Sequence, residues 1–246
     1  MSEEQPRWLE GRRILITGAA GMLGRELVDE AVRQGALVAA TGRSPTIDEA
    51  TFPKGVRVLA ADLADPAACT ALPRRAAEEL GGLDVLVNNA AVLVRSLFMN
   101  LKQEDFDLSW AVNARAPALL IIAAVPYLEK GIRPSIINVV STGGVSGGIA
   151  PVSAYAMTKA ALIVLSKALA RELGPRGIRV NCLSPGTMDS QMQKALDDET
   201  RRKVRGMSAI GRPLEVSEIA RATLFLASEH ASAVTGTMLD ATATVP

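Results

Sequence analysis

Tyr155 and Lys159 stand four residues apart in Ser153-Ala-Tyr155-Ala-Met-Thr-Lys159-Ala. On a helix this spacing places a phenol and an ammonium on one face, a turn apart. An unperturbed tyrosine titrates near ~10, and a cation about 4 Å away at a near-surface dielectric favours the phenolate by up to ~4 kcal/mol. Such a phenol is an acid or base usable near neutrality, as general acid–base catalysis requires. The same spacing also occurs on solvated helices that do no chemistry, so the pair needs support from the rest of the chain. The other tyrosine, Tyr127, has its nearest following lysine at Lys130, in a Pro-containing apolar run that reads as packing. Ala160 to Ala170, just beyond the pair, is apolar on more than one face and predicts a widely buried helix.

A second stretch with chemical meaning is Thr17-Gly-Ala-Ala-Gly-Met-Leu-Gly24. Glycines at 18, 21 and 24 allow a tight turn, a close backbone approach to phosphate, and close packing of helix on strand, with a pyrophosphate at the helix N-terminus. The pattern alone also fits a plain tight turn. Its position strengthens it: Arg13 to Thr17 is a short apolar run, and Met22 to Gln34 carries apolar residues at helical spacing. Further strands are predicted over Leu37 to Thr41, Val56 to Ala60, Val85 to Asn88, Ile136 to Val140 and Val180 to Leu183, with helical stretches between most of them. That alternation predicts an α/β fold: one Rossmann-like, doubly wound parallel sheet of about seven strands, with ligands at the strands' carboxyl ends.

The chain has 246 residues, 48% hydrophobic and 22% charged, with a net charge of +1, enough to bury a large core and with no electrostatic footprint for nucleic acid. MSEEQPRWLE at the start is polar, unlike a signal peptide or anchor, and reads as a tail over 1–10 before a single domain over 11–246. Ala116 to Leu128 is broken by Pro117 and Pro126 and is too short to span a bilayer, so no membrane partner is expected. Cys69 and Cys182 stand apart and His230 is the only histidine, which argues against a disulfide framework, a metal site or a histidine-based triad, and fits a reducing cytoplasm.

The motifs, in order, resemble those of the short-chain dehydrogenase/reductase family over nearly the whole chain. Besides the glycine turn there are Ala61-Asp62-Leu63, Leu83-Asp-Val-Leu-Val-Asn-Asn-Ala90, Val112-Asn113, Ile137-Asn-Val-Val-Ser141, Tyr155-x-x-x-Lys159, Arg179-Val-Asn-Cys-Leu-Ser-Pro-Gly186, Gly211-Arg-Pro213 and Val234-Thr-Gly236. The resemblance implies an NAD(P)-dependent oxidoreductase that interconverts a ketone and a secondary alcohol. Tyr155 would donate the proton in reduction, and Lys159 would lower its pKa and hold the nicotinamide ribose. Ser141 would steady the substrate oxygen, with Thr142 and Ser146 as competitors, and Asn113 would hold a water linking Lys159 to solvent.

For the cofactor, the resemblance assigns Gly18, Gly21, Met22, Leu23 and Gly24 to the pyrophosphate turn and Asp62 and Leu63 to the adenine. It gives Asn89 and Ala90 to the adenosine side, and Pro185, Gly186 and Ser190 to the nicotinamide. The second strand ends Thr41-Gly42-Arg43-Ser44, without the carboxylate that selects NAD, so Arg43 and Ser44 favour NADP(H). No basic residue lies within the glycine turn itself.

Several features depart from the family pattern. Met22 stands where a glycine is usual, and the Gly-x-x-Gly-x-x-Gly spacing resembles the extended, epimerase or dehydratase, branch. The Ser141–Tyr155 interval is one residue longer than usual, which assigns an insertion to Gly147-Gly148. The ending Leu239-Asp-Ala-Thr-Ala-Thr-Val-Pro246 lacks the usual Asp-Gly-Gly. A substrate loop is expected over 186–213, where Asp197–Arg201, Asp198–Arg202 and Glu199–Lys203 have the acid-before-base spacing of an exposed helix. Met188, Met192, Val92, Leu93 and Val94 would wall an apolar pocket for a hydrophobic carbonyl or alcohol substrate. Apolar faces on helices over Lys102 to Lys130 and Ser153 to Glu172 point to a homotetramer, with a homodimer as the alternative. Beside the oxidoreductase reading stand a cofactor-binding regulatory or scaffold protein without turnover, and an epimerase- or dehydratase-type enzyme.

Overall fold

A computed structural model describes residues 7–43, 47–148, 151–186, 188 and 208–244. In chain order the main elements are β1 (Arg13–Thr17), α1 (Met22–Arg33), β2 (Leu37–Gly42), β3 (Arg57–Ala60), α2 (Pro66–Leu80), β4 (Val85–Asn88), α3 (Gln103–Trp110), α4 (Ala116–Leu128), β5 (Ser135–Val139), α5 (Gly143–Ser146), α6 (Ser153–Leu173), β6 (Arg179–Pro185), α7 (Val216–Ala227) and β7 (Met238–Ala241). The strands form one seven-stranded sheet in the order β3-β2-β1-β4-β5-β6-β7, every neighbouring pair parallel.

Alternation along each strand feeds two cores. Ile14, Ile16, Val38, Ala40, Val85 and Val87 face α1 and α7, packing with Leu27, Val28, Ile219 and Leu224. Leu15, Ala39, Leu86 and Ile136 face the other way, onto Leu72, Ala76, Leu120, Ile121 and Leu128 of α2 and α4. Because both faces are covered, the strands read as unbroken apolar runs.

Local signals set the helix ends. The Asp65 carboxylate accepts hydrogen bonds from the Ala67 and Ala68 amides, Pro66 opens α2, and Gly81 closes it in the left-handed conformation that glycine adopts without strain. Glu215 and Glu218 form a reciprocal capping box on α7.

β2 and β3 lie to one side of β1, whereas β4 to β7 lie to the other. The connections therefore diverge between β1 and β4 and open a crevice at their carboxyl ends, the point at which ligands bind in sheets of this kind. Strand bounds differ slightly from expectation: β5 begins at Ser135 and ends at Val139, and β6 runs on to Pro185 because it pairs with β7 as far as Ala241. The helix expected over Lys102 to Lys130 is interrupted by a wide π turn, Ala111–Arg115, between α3 and α4.

Candidate active site

The crevice floor is built by Thr17 at the end of β1. Its hydroxyl donates to the Val87 carbonyl at 3.3 Å and accepts from the Asn89 and Ala90 amides, each at 3.0 Å. Asn89 in turn donates to the Thr17 carbonyl at 2.9 Å, so the ends of β1 and β4 are laced together. Glycine is required here by contact. A Cβ on Gly18, whose φ is +68°, would lie 2.7 Å from the Ala90 Cα, and one on Gly24 would lie 2.1 Å from the Gly18 carbonyl oxygen. At Gly21 the nearest atom would be 3.4 Å away, an ordinary contact. Gly21 precedes α1 with no side-chain cap, and no acidic residue occupies the helix's first turn. The uncapped amides and the positive end of the helix dipole thus suit a pyrophosphate. The structure brings Gly18, Gly21, Met22 and Gly24 together as expected, but the Leu23 side chain is buried, leaving only its backbone for a ligand.

Ser141 follows β5, and Tyr155 and Lys159 lie in the first two turns of α6. The Ser141 hydroxyl lies beside the Tyr155 phenol and favours its ionised form, and it accepts from the Gly143 amide at 3.1 Å. Of the competing hydroxyls, Ser146 is exposed, donating to the Thr142 carbonyl at 3.1 Å and accepting from the Gly148 amide at 3.2 Å, and Thr142 is exposed. The short helix α5 presses directly on α6, since a Cβ on Gly144 would meet the Ala160 nitrogen at 2.9 Å. Gly147 and Gly148, with φ of +83° and +75°, make the successive left-handed steps that follow it, and Gly148 is where the described part of that loop ends.

Lys159 is wholly buried. Its Nζ donates to the Val139 carbonyl at 2.8 Å and lies 5.6 Å from the centroid of the Tyr155 ring. Burial pulls its ammonium down to about 8, opposed by the nearby Cys182 thiol. Tyr155 differs from the sequence expectation. Burial raises its pKa, and the neighbouring Ser141 hydroxyl pulls the other way. In the protein alone, then, Lys159 does not pull the phenol below its ordinary value, because the ammonium is committed to Val139 and is itself desolvated.

Asn113 lies in the π turn and is fully buried. Its Oδ1 accepts from the Val92 amide at 2.8 Å, and its Nδ2 donates to the Val92 carbonyl at 2.9 Å and to the Thr158 hydroxyl at 3.2 Å. The side chain clamps the apolar Val92–Val94 wall against α6, with both its polar atoms bonded to protein groups. The helix ladder is broken at this same turn, which is common near functional sites.

A polar row across the sheet was missed by sequence reasoning. Asn88 donates to Asn138 at 2.8 Å, Asn138 to Ser166 at 2.8 Å, and Ser166 to the Leu162 carbonyl at 2.7 Å. Asn88, Asn138 and Cys182 are in register on β4, β5 and β6. The row locks α6 in rotation against the strand that leads to Ser141. Its only sequence signal was an asparagine within each of two apolar strands.

The remaining expected residues are scattered around this crevice. Asp62 is exposed beyond β3, its carboxylate accepting from the Ala64 amide at 3.0 Å. The Leu63 side chain is buried in the second core, leaving its backbone for the expected contact with adenine. Gly186 accompanies Pro185 at the end of β6, its amide donating to the Ala241 carbonyl at 2.8 Å, and a Cβ there would lie 2.6 Å from the Thr242 Cα. Arg43 is exposed at the end of β2. Ser44, Ser190, Met192 and the charged stretch from Asp197 to Arg205 lie outside the described residues.

These features define a dinucleotide crevice with a Ser–Tyr–Lys cluster at its mouth, and comparison with known proteins places the chain in a family. It belongs to the short-chain dehydrogenase/reductase family. Residues 18–242 match the family model described as enoyl-(acyl carrier protein) reductase. The chain is 34% identical to Nodulation protein G of Rhizobium meliloti (strain 1021), over 93% of its own length and 94% of that protein's. It is 33% identical to the 3-oxoacyl-(acyl-carrier-protein) reductase FabG of Vibrio cholerae, covering 94% of this chain and 96% of that one. A short-chain dehydrogenase from Burkholderia cenocepacia J2315, solved in complex with NADP, superposes with a TM-score of 0.87 at 32% identity, over 96% of this chain and 98% of that one.

Proposed function

We propose that this chain is an NADPH-dependent reductase that converts an apolar ketone, of the 3-oxoacyl thioester class, into a secondary alcohol. The observation that carries the reading is the buried Lys159 ammonium 5.6 Å from the centroid of the Tyr155 ring, with the Ser141 hydroxyl beside that phenol, at the end of a crevice built on Gly18 and Gly24. The relatives named 3-oxoacyl reductases and the structures solved with NADP or NADPH support the substrate class and the coenzyme.

When bound, the coenzyme supplies the hydride. The protein does the rest. The Ser141 hydroxyl donates to the substrate oxygen as negative charge gathers on it. Tyr155, with a pKa raised by burial, is protonated at neutral pH and gives its phenolic proton to that oxygen. Lys159, buried and cationic below about pH 8, stabilises the phenolate left behind and holds the nicotinamide ribose. Val92, Leu93 and Val94, half-buried and clamped by Asn113, exclude water on one side.

The description of the matching family model favours a second reading, reduction of an enoyl thioester. The two are separated by following NADPH absorbance with a 3-oxoacyl thioester and with the corresponding 2-enoyl thioester. Turnover of the first alone is expected. Turnover of the second alone would replace the proposal. We also infer assembly as a homotetramer or homodimer in the cytoplasm. Ile122 on α4 and Met157 and Val164 on α6 are apolar and exposed at 69%, 42% and 67%, which supports subunit contact along those helices.

A further inference from the structure

We propose that Arg25 is a second cation of the 2′-phosphate site, supplying from the first turn of α1 the charge that the glycine turn lacks. The inference rests on the reading that NADPH is the coenzyme. Arg25 directly follows Gly24, and its side chain folds back over the turn. Its Nε donates to the Ala20 carbonyl at 3.3 Å, and its guanidinium lies over the Phe52 ring, 5.4 Å from the centroid.

Both anchors place the group beside the end of β2. The Ala19 amide donates to the Thr41 carbonyl at 2.9 Å, and a Cβ on Gly42 would lie 3.5 Å from that of Ala20. Ile47, whose amide donates to the Arg43 carbonyl at 3.0 Å, would be 3.3 Å from the same Gly42 Cβ and, like Phe52, packs against the edge of the first core. Arg25 is therefore anchored on Ala20, the residue that packs against Gly42 at the end of β2, where a parallel sheet of this type reads the adenosine ribose.

The guanidinium is also available. Among the described residues, Nε is the only side-chain nitrogen of Arg25 with a hydrogen bond, and no carboxylate pairs with the guanidinium. Asp48, the nearest acid in sequence beyond Arg43, caps its own turn by accepting from the Ala50 amide at 3.0 Å. An arginine fixed through Nε and stacked on a ring presents its two terminal nitrogens as a preorganised fork, the geometry that matches a phosphomonoester. Sequence reading found no basic residue between Gly18 and Gly24, and the structure brings one in from just outside.

The test is a titration of the full chain and its Arg25→Ala, Arg25→Lys and Phe52→Leu variants with NADPH, NADH, adenosine 2′,5′-bisphosphate and AMP, read by calorimetry. Arg25→Ala should weaken NADPH and the bisphosphate about tenfold or more, the size of a lost charge-assisted hydrogen bond, while NADH and AMP change less than about twofold. Arg25→Lys should recover part of the loss, and Phe52→Leu should show a smaller loss of the same selectivity. Equal weakening of all four ligands, or none, would overturn the assignment. If the unaltered chain binds NADH as tightly as NADPH, the coenzyme reading fails and this inference falls with it. If the preference exists but survives Arg25→Ala, only this inference fails.

Discussion

The Lys159 ammonium donates to the Val139 carbonyl at 2.8 Å, which ties the second turn of the catalytic helix to the strand that ends two residues before Ser141. Burial depresses this lysine to about 8 from an ordinary 10.5. Between those two values the unfolded chain holds a proton that the folded chain has released, so stability contributed by this group rises with pH. Its full cost is present below about pH 8 and is relieved above 10.5. Lys159→Met removes the titration. Urea unfolding at pH 7.5 and pH 10, chosen as roughly the edges of that window, should show the unaltered protein gaining on the variant by up to roughly 3 kcal/mol. Parallel pH profiles would show that Lys159 does not titrate in this way.

The glycine turn makes an asymmetric prediction. Gly24→Ala drives a Cβ to 2.1 Å from the Gly18 carbonyl oxygen, whereas Gly21→Ala meets that oxygen at 3.4 Å. Thermal melting should show Gly24→Ala destabilised by about 1–3 kcal/mol or more, as for overpacking, with Gly21→Ala near neutral. A reversed order would mean that the turn is built differently.

Asn113 should matter to stability as well as turnover. Asn113→Ala leaves the Val92 amide and carbonyl without the partners they have at 2.8 and 2.9 Å. Denaturant unfolding should show a loss of about 1–3 kcal/mol, and KM for an apolar ketone should rise as the Val92–Val94 wall loosens. An unchanged unfolding midpoint would show that the clamp is dispensable.

Much of this arrangement was legible in the chain. β1, β4 and β5 are short apolar runs with turn residues beyond them, and alternation with helices was enough to imply a parallel sheet. Tyr155 and Lys159 were legible because α6 is regular, so spacing fixes their common face. What stayed hidden depends on contacts between distant segments. The Asn88–Asn138–Ser166 row requires strand register, which no local pattern encodes. The π turn at Ala111–Arg115 leaves no composition signal, and the direction of Arg25 depends on Phe52 arriving from another loop. The expected lowering of the Tyr155 pKa assumed a lysine facing the phenol in partial solvent, and burial reversed its sign.

The central claim is that Tyr155 delivers the proton as a ketone is reduced. Its most direct test is the rate of NADPH consumption, matched to alcohol formed, for the unaltered chain and Tyr155→Phe, with the NADPH dissociation constant of each. Turnover should fall by about 10²-fold or more while coenzyme affinity stays within about twofold, because general acid catalysis is lost and the crevice is not. Turnover retained in Tyr155→Phe, with the fold and coenzyme affinity intact, would contradict the account.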